Sequence, residues 1–270
     1  MATLAFASCG ADTLGGAGTP GGGAGVITLV ASGGPAGSVT ADVALDEPGV
    51  GPQDTCAAPL VAGACQLTSC QSAGVGSPAA GYGNFGPIAV TVGTTTVPLT
   101  YDLTGYPAVA LPAPAALGTG GTMRFRGGDG LSVPTFDVSA TIPGLGVMSS
   151  PNPASEGVAA ILDSSQDLPV TWTPISIGQI KFRLDGEVIT TDSDVMNSIH
   201  CTFDGAPGSA VVPQTLLAAM TAMRGPVEEP VYAALISELD ATTVVDGLTI
   251  VTHSFQTTAD PAGGFPVTLR

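Results

Sequence analysis

Positive charge is scarce in this sequence. Six Lys+Arg, of which Lys181 is the one lysine, stand against 22 Asp+Glu, for a formal charge of −16. Nucleic-acid affinity comes mostly from cations that displace counterions at phosphates, so nucleic acid is excluded as a partner. An anionic membrane surface is disfavoured on the same ground. The acids are spread over both halves of the chain, as on a solvated surface. Aromatic residues make up only 5%, with a single tryptophan, Trp172. No run reaches the roughly 18 apolar residues that carry a helix across a bilayer.

Catalytic signatures are lacking too. The only histidines are His200 and His253. In strands, His200-Cys201 and His253-Ser254 are neighbours that point to opposite faces, so neither forms a nucleophile–base pair. There is no Gly-x-Ser-x-Gly elbow and no Gly-x-x-x-x-Gly-Lys phosphate loop. Both histidines read as surface or packing residues, and the chain is expected not to be an enzyme. Two carboxylates suffice for glycoside hydrolysis, but 22 acids always offer a pair on paper. An extracellular carboxylate-dependent glycoside hydrolase is therefore a distant alternative.

What is abundant is glycine (38) and proline (23), within a chain that is 44% hydrophobic. Long helices tolerate neither residue, whereas short strands joined by many turns use both. A chain of 270 residues buries roughly 70–75% of its unfolded surface, enough for a core without metals. The expected fold is all-β: two β-sandwich domains, Ig-like or jelly-roll-like, with one short helix. Residues 1–24 are expected to be a signal-peptide remnant and Gly-rich tether, 25–150 the first sandwich, and 151–270 the second. The boundary falls in residues 143–157, rich in proline, glycine and serine.

Apolar runs at Val26–Val30, Val39–Leu45, Ile88–Val92, Val97–Tyr101, Met123–Arg126 and Val133–Ile142 predict strands of the first half. Leu168–Trp172, Gln179–Leu184 and Ile199–Phe203 follow in the second, with Lys181 and Arg183 alternating outward and Trp172 in the core. Pro213, the stripe Leu216, Leu217 and Met220, and the stop Arg224-Gly225 predict a helix over 213–224. Strands return at Val231–Leu239, Thr242–Val245, Leu248–Phe255 and Pro266–Arg270. Asp246-Gly247 is a two-residue hairpin signal.

Five cysteines stand at 9, 56, 65, 70 and 201. Setting Cys9 aside, Cys56, Cys65, Cys70 and Cys201 are enough for two disulfides with three possible connectivities. Zinc is excluded because no Cys-x-x-Cys and no nearby histidine accompanies them. Disulfides place the protein in an oxidising compartment.

The stretch Leu4-Ala5-Phe6-Ala7-Ser8-Cys9-Gly10 resembles the end of a bacterial lipoprotein signal peptide. The resemblance implies lipidation at Cys9 and sets Met1 within a signal whose front lies upstream. Three further stretches resemble a pattern in uncharacterised bacterial exported lipoproteins: Asp167–Pro174, His200–Pro213 with Leu216-Leu217, and Gly63–Cys70. That resemblance implies a lipid-anchored β protein of the cell envelope or exterior, in the outer membrane. It brings no known activity.

Two surface candidates remain. Asp185, Glu187, Asp192 and Asp194 supply hard oxygen ligands at alternate positions in a turn-rich stretch, so calcium is the one cofactor weighed. Tyr82 and Phe85, with Asn84 between them, sit among glycines, where rings stack on sugars and an amide hydrogen-bonds. The expected function is binding or adhesion at the cell surface, with a glycan or a protein as partner. The alternative is a structural envelope or matrix component without a small ligand.

Overall fold

Alternation of apolar and polar side chains becomes strand after strand in the computed structural model. It describes residues 26–33, 38–45, 55–71, 86–101, 106–112, 120–128, 134–151, 159–189, 194–223, 231–257 and 264–270. The N-terminal strands are β1 (Val26–Gly33), β2 (Ser38–Leu45), β3 (Thr55–Cys56), β4 (Leu60–Ala62) and β5 (Cys65–Gln71). Next come β6 (Ile88–Val92), β7 (Thr95–Leu99), β8 (Tyr106–Pro112), β9 (Gly121–Gly127) and β10 (Phe136–Ile142). Short strands β11 (Met148–Ser150), β12 (Ala160–Leu162) and β13 (Leu168–Trp172) precede the long β14 (Gln179–Ile189) and β15 (Asp194–Asp204). The chain ends with β16 (Ser209–Val212), α1 (Gln214–Met223), β17 (Val231–Val245), β18 (Leu248–Thr257) and β19 (Phe265–Leu269). Among the described residues the protein is all-β with one short helix.

The strands form three sheets. The largest has twelve strands and runs β3-β5-β15-β14-β17-β18-β1-β2-β8, with β4, β12 and β19 attached beside it. A four-stranded sheet runs β10-β9-β6-β7, and a three-stranded one β11-β13-β16. The expected division near residue 150 is crossed by hydrogen-bonded pairs: β1 lies parallel to β18, and β5 antiparallel to β15.

Two cores result. One lies between the four-stranded sheet and β18, where Val90, Phe125 and Ile142 meet Leu248 and Ile250. The other lies under the three-stranded sheet and α1, where Trp172, Leu217 and Met220 meet Leu67, Phe182 and Leu235. Trp172 stacks on Phe203 with ring centroids 5.9 Å apart and donates Nε1–H to the Gly205 carbonyl at 2.9 Å, so its one polar atom is satisfied in the core. Asp167 caps α1 from outside, its Oδ1 accepting the Gln214 amide at 2.8 Å.

Strand β17 joins the cores. Residues 231–238 pair with β14, and residues 236–245 with β18. The sequence reads as two strands broken near Asp240-Ala241, but this register carries one strand through both. The chain between the cores is tied to it where the Gly146 amide donates to Ser237 Oγ at 2.8 Å.

The four paired cysteines form Cys56–Cys70 and Cys65–Cys201. Each bridge joins residues directly opposite in adjacent antiparallel strands, with Cα atoms 4.0 Å apart in both. Alternation along β5 puts the two bridges on opposite faces of the sheet: Cys65–Cys201 in the core, and Cys56–Cys70 on the other face, with Cys56 exposed and Cys70 buried.

Candidate functional site

Four neighbouring strands carry the core on one face of the long sheet and a cluster of charged side chains on the other. In β14, Ile180, Phe182 and Leu184 are buried, so Lys181, Arg183 and Asp185 face the opposite side. In β17, Ala233, Leu235 and Ser237 point inward, and Tyr232, Glu238 and Asp240 share the outer face. His200 of β15 lies opposite Arg183, and His253 of β18 lies opposite Asp240.

Register brings these side chains into two groups of similar plan. In each, residues i and i+2 of one strand face a histidine on the next. In the first, Arg183 Nη2 donates to Asp185 Oδ2 at 2.9 Å, and His200 Nε2 lies 3.8 Å from Asp185 Oδ1. Tyr232, 41% exposed, stands opposite Asp185 at the edge of this group.

The second group sits where β17 passes beyond the end of β14. His253 Nδ1 is 2.5 Å from Asp240 Oδ1, and Lys181 Nζ is 2.6 Å from Glu238 Oε1. Glu238, Asp240 and His253 each offer a ligand-type atom, all within 4.8 Å of one another. The Phe255 ring centroid lies 5.5 Å from that of His253 and flanks the imidazole.

Burial separates the two acids. Glu238 is only 7% exposed, and desolvation pushes its carboxyl above the usual carboxylate range despite the bond from Lys181. Burial also raises Asp240, but the hydrogen bond and charge of His253, with the Lys181 charge and a hydrogen bond from Glu238, together hold the group below its ordinary value. The bond to Asp240 raises His253 against the opposing effect of desolvation. One acid is thus biased toward its neutral form and the other toward its ionised form.

Chemically this group can pass or hold a proton, bind a cation, or hydrogen-bond a polar ligand. His253 with Asp240 is a base oriented by a carboxylate, but the adjacent Ser254 is buried on the opposite face and cannot act as its nucleophile. A shallow recess of about 440 Å³ elsewhere is lined by Pro87, Arg126, Phe136 and Asp137. Its charges are already engaged, since Arg124 and Arg126 both donate to Asp137.

Of the residues singled out in sequence, Asp185 joins the charged face, inside β14 and not in a turn. Glu187 lies in β14 and Asp194 opens β15, with side chains outside the described residues. Cys9, Tyr82, Asn84, Phe85 and Asp192 lie wholly outside them. Lys181 and Arg183 are on the solvent side, as alternation predicts. Sequence reading missed the union of Lys181, Glu238, Asp240 and His253. Glu238-x-Asp240 marks one strand face, but only the β17–β18 register brings His253 opposite Asp240. No protein-family model matches the chain, and no curated protein matches it.

Proposed function

We propose that the chain is an exported binding protein of the bacterial envelope, anchored by lipid at Cys9, whose ligand contacts lie on the charged face of its long sheet. The observation that carries the reading is the pair of cross-strand disulfides, one on each face of β5. Such bonds persist outside the reducing cytoplasm. Five cysteines with four paired leave Cys9 for another use, and the lipoprotein-like stretch before it supplies one. The two cores are read as two sandwiches that share the long sheet.

Binding, and not catalysis, fits the face itself. Cation, carboxylate and imidazole groups lie beside the exposed Tyr232 on a rigid sheet, a surface suited to a glycan or a polar protein loop. Tyr82, Asn84 and Phe85 form a second contact region in this proposal. The carboxylate-dependent hydrolase has one observation in its favour, the differently biased Glu238 and Asp240. Against it, Lys181 occupies Glu238 where a general acid must reach a leaving group.

Two measurements test the proposal. Protease treatment of intact native cells should degrade the protein, whereas full protection would overturn the surface location. Saturable binding to an envelope or extracellular polysaccharide should fall at least tenfold in Tyr232→Ala or in Tyr82→Ala/Phe85→Ala. Regular self-association with no ligand bound would favour the structural-component alternative, and turnover abolished by Glu238→Gln would favour the hydrolase.

A further inference from the structure

We infer that Glu238, Asp240 and His253 form a site for a divalent first-row transition ion of the zinc class, and that Lys181 stands in for that ion when it is absent. The three donors come from adjacent strands of a disulfide-bonded sheet. Asp240 and His253 are directly opposite in register, and Glu238 is two residues away on the same face. Their ligand-type atoms already lie within 4.8 Å of one another. A tetrahedral ion with bonds of about 2.1 Å holds its ligands roughly 3.4 Å apart, so modest side-chain rotation closes the set.

Charge favours the same conclusion. Two carboxylates this close, one of them nearly buried, need positive charge beside them. Two bridges now hold them: His253 Nδ1 lies 2.5 Å from Asp240 Oδ1, and the Lys181 ammonium sits 2.6 Å from Glu238. One divalent ion replaces both bridges, taking imidazole nitrogen and two carboxylate oxygens. Lys181 is free to leave, because its side chain is one-third exposed and its four-carbon stem reaches water. Asp240 is 54% exposed, which leaves an open side for a water or a ligand group as fourth partner.

The donor set also selects the ion. Calcium and magnesium prefer oxygen ligands throughout, whereas imidazole with carboxylates suits zinc, nickel or copper. The ligands are fixed on strands, where the sheet sets their spacing before any ion arrives.

Calorimetric titration of the oxidised full chain with zinc chloride tests this, using a Cys9→Ser background to remove the one thiol outside the disulfides. One equivalent should bind. His253→Gln and Asp240→Asn should each weaken binding by at least the roughly tenfold that even an outer-sphere partner commands. His200→Gln, at the other histidine group, should leave it unchanged. Lys181→Met should tighten binding at least roughly two- to five-fold, the worth of even an exposed ion pair in competition, and this one is half buried. Zinc should also raise the melting temperature of the parent and not that of His253→Gln, and calcium should do neither. No uptake by the parent, or uptake that His253→Gln leaves unaltered, overturns the inference.

Discussion

Removing the inner disulfide should cost the fold distinctly more than removing the outer one. Cys65–Cys201 ties residues 136 apart in sequence, and Cys56–Cys70 residues 14 apart. In the chain-entropy treatment the longer loop is worth about 5 kcal/mol and the shorter about 3 kcal/mol, a difference of about 2 kcal/mol set by the ratio of loop lengths. Packing widens the gap. Cys65 and Cys201 are 2% and 1% exposed, so alanines at both leave small voids in the core, whereas in the other bridge Cys70 is buried and Cys56 is exposed. Against the roughly 5–15 kcal/mol that holds a typical domain folded, losing the inner bridge is a large perturbation. The assay is urea unfolding of Cys65→Ala/Cys201→Ala and Cys56→Ala/Cys70→Ala, both on Cys9→Ser to prevent mispairing. The inner-bridge variant should show the lower midpoint. Coincident midpoints, or a costlier outer bridge, would refute the pairing or its entropic origin.

Other outcomes follow from single contacts. Trp172→Phe should lose about 1 kcal/mol, the net worth of its bond to the Gly205 carbonyl, which keeps the Ile175 amide at 3.1 Å as its other donor, as denaturant midpoints will register; no loss would mean that the bond contributes nothing. Gly264→Ala should destabilise far more than Gly247→Ala. Both glycines have positive φ, at 82° and 84°, but a Cβ at 264 falls on the Ala233 carbonyl while none lies within 4 Å at 247. Comparable losses would show that backbone conformation alone sets the cost. His253 has its folded pKa raised above the ordinary value of about 6.5, so its contribution is complete below that pH and is lost as pH rises through the folded value. The parent should thus exceed His253→Gln in stability at pH 6 and lose that margin by pH 9; a margin constant with pH would contradict the pairing with Asp240.

Local signals served best where the structure is local. The hairpin at Asp246-Gly247 forms with φ of 47° and 84°, the consecutive positive angles such turns require. The strands Ile88–Val92 and Leu168–Trp172 lie where their apolar runs put them, and the helix, expected over 213–224, spans Gln214–Met223. Long-range pairing defeated the rest. Asp185-Gly186-Glu187 has the composition of a turn, yet it is held as strand by β15 on one side, with β17 pairing as far as Gly186 on the other. Gly186 is there for space: a Cβ would lie 3.1 Å from Met220 Cε and 3.3 Å from Val231 Cγ2. The parallel β1–β18 pair joins segments more than two hundred residues apart, so nothing in either segment marks it. The charged face was half legible, because alternation turns Lys181, Arg183, Glu238, Asp240 and His253 outward but does not say which strands lie side by side.

The most direct measurement is a non-reducing peptide map, with intact mass, of the protein purified from its native host. Peptides linked Cys56–Cys70 and Cys65–Cys201, with acyl mass on an N-terminal Cys9, are the expected result. Free thiols at those four positions would contradict an exported, disulfide-held binding protein.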